Sequence, residues 1–123
     1  MYSYIQYFRN NFHNLKFYFK CLNIFAMVII SHKAIREFAE RFPKLLVPLE
    51  RWYSVTLQAH WKGFNDIKKY FNSVDSVGDG LFVFNIKGND CRLICRIIFR
   101  TRTVFIRFIG THSEYDLLDF TTL

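Results

Sequence analysis

The C-terminal third of the chain alternates between apolar and charged positions with the period of a β-strand. Successive side chains of a strand point to opposite faces. Residues 90–100 therefore predict a strand with two contrasting faces. The apolar face carries Cys91, Leu93, Cys95, Ile97 and Phe99, and the opposite face carries Arg92, Arg96 and Arg100. Residues 103–109, which contain Arg107, predict a second strand of the same kind.

Turn residues separate these strands from each other and from a preceding apolar run. Residues 81–86 read as a strand, and Lys87-Gly88-Asn89-Asp90 follows as a tight turn. Asn and Gly are favoured in hairpin turns because they tolerate positive φ. We therefore expect positive φ at Gly88 and Asn89. Residues 100–103 form the second turn, so the pattern predicts a three-stranded antiparallel meander.

The first half of the domain has helical periodicity after a short strand-like run at residues 27–30. Ser31 is a candidate N-cap, and Pro43 ends the first helix. The apolar face of that helix is predicted to carry Ile35, Phe38, Ala39 and Phe42. A second helix is expected to start near Pro48, since proline suits a first turn. Its apolar positions are Leu49, Trp52, Tyr53 and Leu57, with Trp61 one turn further on.

A third, shorter helix is expected from Asn65, as its cap, to Tyr70, and residues 72–80 read as a loop. The tail from Ser113 predicts one short C-terminal helix. The chain is therefore expected to be α+β. In this small domain the N-terminal helices would pack on one face of an antiparallel sheet, and the other face would bear arginine.

Residues 1–26 do not share these patterns. They are dominated by residue types that AT-rich codons encode, and Met27 directly precedes the first regular pattern. We expect a leader at 1–26 produced by a mis-assigned start, followed by one domain at 27–123. The apolar stretch at residues 17–30 carries Lys20 and Asn23 and is shorter than the ~20 residues of a membrane span. The leader also lacks the form of a signal peptide. An amphipathic surface-binding helix is the alternative.

Charge and cysteine content narrow the class of partner. The formal net charge is +7, which favours anionic partners. The chain has three cysteines, of which Cys91 and Cys95 lie about 13 Å apart along one strand face, too far for a disulfide. They are expected to be core residues of a protein in the reducing cytoplasm. No spacing predicts a metal site or a cofactor.

Cations and titratable groups converge at the C-terminal end of the sheet. Residues 87–107 carry six cations against one acid, Asp90; the cations are Lys87, Arg92, Arg96, Arg100, Arg102 and Arg107. Then His112, Glu114, Tyr115 and Asp116 arrive within five residues. Each has a plain structural explanation, such as a solvated arginine, a hydrogen-bonding histidine or a core tyrosine. Together they predict a phosphodiester-binding site, because guanidinium groups match phosphate oxygens.

The signatures Phe84-Asn85-Ile86-Lys87-Gly88-Asn89 and Thr111-His112-Ser113-Glu114-Tyr115-Asp116 closely resemble those of HigB-type toxins of bacterial type II toxin–antitoxin systems. The resemblance runs from Met27 to the C-terminus. It implies a fold similar to the RelE-type ribonuclease toxins and cleavage of mRNA, often on the translating ribosome. It also implies inhibition by a cognate helix-turn-helix antitoxin, HigA.

Chemistry rather than the resemblance suggests the individual roles. A nuclease in which the ribose 2′-OH attacks the adjacent phosphate needs a base, an acid and cations, but no metal. His112 is the candidate base or acid, with Tyr115 as runner-up or orienting group. Arg92, Arg96 and Arg107 would hold the scissile phosphate. Lys87, Arg100 and Arg102 would bind flanking RNA.

A second hypothesis is a non-catalytic module. It would bind RNA or the ribosome through the cationic face, or poison a protein target as ParE-type toxins do. A pure binder needs cations but no proton-transfer group, so His112 and Tyr115 separate the two hypotheses.

Overall fold

Five strands form one mixed sheet in residues 26–123, the part of the chain that the computed structural model describes. The expected leader lies outside the described residues, apart from Ala26. The spatial order of the strands is β1-β5-β4-β3-β2. Their bounds are β1 Val28–Ile30, β2 Asp75–Gly78, β3 Leu81–Ile86, β4 Cys91–Ile98 and β5 Thr103–Thr111.

The antiparallel meander predicted from alternation is confirmed by the pairing of β3 with β4 and of β4 with β5. Two strands extend it. The predicted strand β1 joins the edge parallel to β5, with Val28 opposite Thr103. Strand β2 lies within the expected loop, so that prediction was wrong. All four of its residues are exposed, Val77 is its one large apolar side chain, and Gly78 takes φ 90°. An exposed edge strand of this kind leaves no apolar alternation to detect.

Four α-helices accompany the sheet within residues 26–123: α1 His32–Arg41, α2 Leu46–Leu57, α3 Phe64–Tyr70 and α4 His112–Asp116. The α+β prediction is confirmed. Helix α2 ends before Trp61, which is still buried and stacks on Phe84 from a loop. Gly63 rather than Asn65 precedes α3. None of the helices described here is long and apolar enough to cross a bilayer.

Ser31 lies at the N-cap position of α1, but its side chain makes no capping hydrogen bond. Its backbone takes φ 81°, in the left-handed region. The prediction of a serine cap was correct in position and wrong in mechanism.

Helices α1 and α2 pack with one face of the sheet to form the main core. The apolar face predicted for β4 is confirmed, because Cys91, Leu93, Cys95 and Ile97 are all buried there. Both cysteines are free. Trp52 packs edge-on against Phe84 at 5.4 Å between ring centroids. The helices thus sit on the cysteine-bearing face, as predicted.

The opposite face of the sheet is not an open arginine surface. Leu81, Val83 and Ile94 form a second, smaller core on it. Side chains from β5 and the C-terminal segment pack against this core, namely Phe108, Tyr115, Leu118 and Leu123. This face had been expected to bear arginine. The aliphatic residues between the arginines instead hold the C-terminal segment against it.

Strands β3 and β4 are joined by the turn at residues 87–90, where Asp90 N–H donates to the Lys87 carbonyl at 3.3 Å. Positive φ occurs at Gly88, as expected, and at Lys87 instead of Asn89. Lys87 takes φ 53°, a conformation that costs a non-glycine residue about 1–2 kcal/mol. The hairpin therefore holds a strained lysine at its tip.

Candidate active site

The two arginines of β4 are bonded within the fold. The Arg92 residue is only 9% exposed. Its guanidinium donates to the Gly88 carbonyl at 3.5 Å and to Asn89 Oδ1 at 3.2 Å. It also lies 5.8 Å from the centre of the Tyr115 ring. Arg92 thus ties the β3–β4 turn to the C-terminal helix.

Arg96 has partners of the same kind. Its guanidinium donates to the main-chain oxygen of Asp79 and, at 3.3 Å, to that of Leu123. The plain structural explanation for these arginines was a solvated position. The groups that they bind are mostly main-chain oxygens of the fold.

The other arginines of the predicted site lie on β5 or at the turn before it. Arg107 is exposed at an irregularity in the β4–β5 pairing, with its guanidinium 5.3 Å from the Phe105 ring centre. Arg100 and Arg102 flank the turn before β5. That strand is nine residues long, so its first and last residues lie about 26 Å apart at ~3.3 Å per residue. Arg100 and Arg102 therefore do not share a phosphate with His112.

His112 opens α4 directly after β5. Thr111 caps this helix, since its Oγ1 accepts from the Glu114 N–H at 3.2 Å. The His112 side chain is 56% exposed, and its Nε2 lies 3.6 Å from Asp116 Oδ2, one turn further on. Neither side chain belongs to the core clusters. The imidazole is therefore accessible to a ligand and has a carboxylate that can orient it.

Tyr115 packs against the smaller core, whereas the His112 imidazole is exposed. The tyrosine ring contacts Phe120 edge-on at 5.7 Å and takes part in the packing over Leu81, Val83 and Ile94. This agrees with the structural alternative of a core tyrosine.

Gly110 fixes the entry into α4. A Cβ at this position would collide with the Phe108 ring and lie 3.2 Å from Glu114 Cβ. Only glycine leaves room for Phe108 to fold over the end of β5. The position of His112 thus depends on a residue two places before it.

Lys87 belongs to a cationic cleft that the sequence did not reveal. The cleft has a volume of about 370 Å³ and is lined by residues of the α1–α2 turn, the β3–β4 turn and the end of β5. Arg41 and Lys44 join Lys87 there, and Asp90 and Thr111 complete the wall next to His112. Arg41 also donates to Glu114 Oε1 at 3.0 Å, which joins α1 to α4. No sequence signal marks Arg41 and Lys44 except their position on either side of Pro43.

In residues 26–123, no three His, Cys, Asp or Glu side chains are grouped as metal ligands would be. Burial raises the pKa of the Cys91 thiol to about 12, although it accepts a hydrogen bond from Gly110. This thiol is therefore protonated and unreactive at neutral pH. The exposed imidazole and the cations remain as the reactive groups at this end of the sheet.

Comparison with known proteins identifies the family. The family model described as HigB_toxin, RelE-like toxic component of a toxin-antitoxin system, matches residues 46–118. The chain belongs to the HigB toxin family. The mRNA interferase toxin HigB of Escherichia coli K12 is 30% identical over 92 residues, which cover 73% of this chain and 88% of that protein. The mRNA interferase HigB of Escherichia coli O6:H1 is 28% identical over 94 residues, 75% of this chain and 91% of the relative.

The mRNA interferase HigB of Shigella flexneri has the same 30% identity over 92 residues. Membership in the HigB family confirms the resemblance seen in the two signatures. The family match includes α2, the sheet from β2 to β5 and His112. It begins after Arg41 and Lys44, so two of the three cleft cations lie outside it.

Proposed function

We propose that this HigB-family toxin is an mRNA endoribonuclease. Its relatives are named mRNA interferases. The observation that carries the proposal is an exposed histidine beside a cationic cleft, at the end of β5. A proton-transfer group next to fixed cations is what phosphodiester cleavage needs.

In the proposed reaction the ribose 2′-OH attacks the adjacent phosphorus, and the bond to the 5′-oxygen of the next nucleotide breaks. The products are a 2′,3′-cyclic phosphate and a 5′-OH. One group removes the 2′-OH proton and one donates a proton to the leaving oxygen. His112 serves in one of these two steps, oriented by Asp116. The nucleophile belongs to ribose, so DNA is not cut. No metal is required.

The cations divide the remaining work. Lys87 is exposed at the cleft and stabilises charge that develops on the phosphate. Arg92 is less exposed than Lys87 and positions the turn through Gly88 and Asn89. Tyr115 supports Arg92 by its ring. Arg96 and Arg107 contribute positive electrostatic potential along the sheet. Arg100 and Arg102 contact RNA away from the cleaved bond.

A toxin of this family has a cognate antitoxin. We propose that the antitoxin is a HigA-like helix-turn-helix protein and that the substrate is mRNA on the ribosome. That substrate places the toxin in the cytoplasm.

Primer extension on mRNA after induction tests the nuclease. We expect discrete new 5′ ends that carry a hydroxyl and form equally well in EDTA with purified protein. Replacing the ribose at the cut by deoxyribose should abolish cleavage at that position. Growth arrest without new 5′ ends would favour the non-catalytic or ParE-like module. Cleavage that EDTA abolishes would overturn the metal-free mechanism.

A further inference from the structure

The cleft beside His112 has the size of a ligand site. Its volume of about 370 Å³ lies within the ~300–1,000 Å³ typical of small-molecule pockets. Its walls combine Arg41, Phe42 and Lys44 from the α1–α2 turn with Lys87, Asp90 and Thr111 from the sheet. The three residues from the turn precede the segment that the family model matches.

The charge of the cleft selects an anion. Three cations face one carboxylate, Asp90. Arg41 shares its charge with Glu114, whereas Lys44 and Lys87 form no ion pair with any residue in 26–123. Unpaired cations in a concave surface concentrate anions. Lys87 is held there in a left-handed conformation, and such strain is found at binding sites more than elsewhere.

An aromatic ring narrows the class of ligand further. Phe42 is half-buried in the cleft wall, with the Arg41 guanidinium 5.0 Å from its ring centre. Nucleotide bases stack on aromatic rings and on arginine planes, and the adjacent backbone phosphates bind cations. The ring also packs against Phe38 and the main core, and a carboxylate-bearing peptide would use the lysines without the exposed part of the ring.

We propose that the cleft binds one nucleotide of single-stranded RNA that flanks the cleaved bond. Lys44 and Lys87 bind its phosphates, and Phe42 with Arg41 stacks on its base. Glu114 is a positioning residue, since it holds Arg41 from the helix that carries His112. That the ligand is RNA rests on the proposed function.

Binding of a short fluorescein-labelled 2′-O-methyl RNA to the full chain tests this, because such RNA lacks the nucleophile and stays intact. Lys44→Gln and Lys87→Gln are each expected to weaken binding several-fold and to lower the log–log salt slope by ~0.7. Phe42→Leu should weaken binding about tenfold and leave the slope unchanged. Lys68→Gln, an exposed lysine on α3, is the matched control and should change neither.

Equal slopes for Lys44→Gln, Lys87→Gln and Lys68→Gln would overturn the proposal. So would variants that bind RNA normally but lose the antitoxin, since the cleft would then be an antitoxin site. The nuclease is judged separately by the new 5′ ends. If the protein cuts mRNA and its cleft variants bind RNA normally, only the proposal about the cleft is wrong. If the protein binds RNA through the cleft but cuts none, only the proposal of nuclease activity is wrong.

Discussion

At the scale of single residues, His112 is exposed and outside both cores, so its removal should separate catalysis from folding. We predict that His112→Ala slows mRNA cleavage by the ~10²–10⁴-fold typical of a lost acid or base. The melting temperature should stay that of the parent. Single-turnover cleavage and a thermal melt measure the two effects.

Tyr115→Phe is the companion variant, because it keeps the ring that packs on Phe120 and Arg92. It should cost much less activity than His112→Ala. Full cleavage by folded His112→Ala, together with loss in Tyr115→Phe, would assign the proton to tyrosine.

Lys87 combines a strained backbone with an exposed charge. Two substitutions separate these effects, because glycine removes both the strain and the charge, whereas glutamine removes only the charge. Lys87→Gly should relieve about 1–2 kcal/mol of left-handed strain, offset by ~0.5–1 kcal/mol of added chain entropy. Stability in urea should therefore be unchanged or slightly higher, while RNA cleavage falls. Lys87→Gln keeps the strain and should lose activity without the gain in stability. A clear loss of stability in Lys87→Gly would mean that the side chain supports the fold.

At the scale of elements, the β3–β4 hairpin depends on Arg92. We predict that Arg92→Met lowers the free energy of unfolding by about 1.5–3 kcal/mol, because the turn loses the charged donor that binds the Gly88 carbonyl and Asn89 Oδ1. Urea denaturation measures this. Arg107→Met, at an exposed site, should cost under ~0.5 kcal/mol. If Arg92→Met is as stable as Arg107→Met, the arginine does not hold the turn.

The alternation of β4 was sufficient to predict the meander and its buried cysteine face. The sequence pattern contains no comparable signal for pairing between strands that are distant in sequence. Strand β1 was recognisable as an apolar run, but nothing in Val28–Ile30 specifies a parallel partner at Thr103. Trp61 continued the helical spacing of α2 by coincidence, because a buried residue in a loop satisfies the same period. The apolar spacing thus identified the buried residues correctly but placed Trp61 in a helix instead of a loop.

At the scale of the whole molecule, the sequence could propose only those parts of the candidate site that are local in sequence. Lys87 and His112 were proposed from short motifs and stay predictions. Arg41 and Lys44 were missed, because they reach the cleft through the packing of α1 on the sheet. The covering of the second sheet face was missed for the same reason, since Leu118 and Leu123 return from the chain end to pack there.

Alkaline pH should destabilise the whole domain. Burial raises the pKa of Cys91 from 9.0 to about 12, and burial with nearby Glu50 raises that of Tyr53 from 10.0 to about 12. The unfolded chain releases these protons first, so stability is complete below pH ~9 and falls as pH rises toward 12. Urea midpoints measured across this range should decline. Cys91→Ala should flatten the decline, and an unchanged slope in that variant would contradict the assignment.

The parallel pairing of β1 with β5 sets the order in which a nascent chain can complete the fold. Val28 and Ile30 leave the ribosomal tunnel early, yet their hydrogen-bonding partners in β5 are synthesised near the end of the domain. Contacts so distant in sequence form late, after the loop between them has closed. His112 follows β5 in the chain, so the edge pairing and the reactive group arrive together. A nascent chain that ends before β5 therefore lacks both the edge pairing and His112.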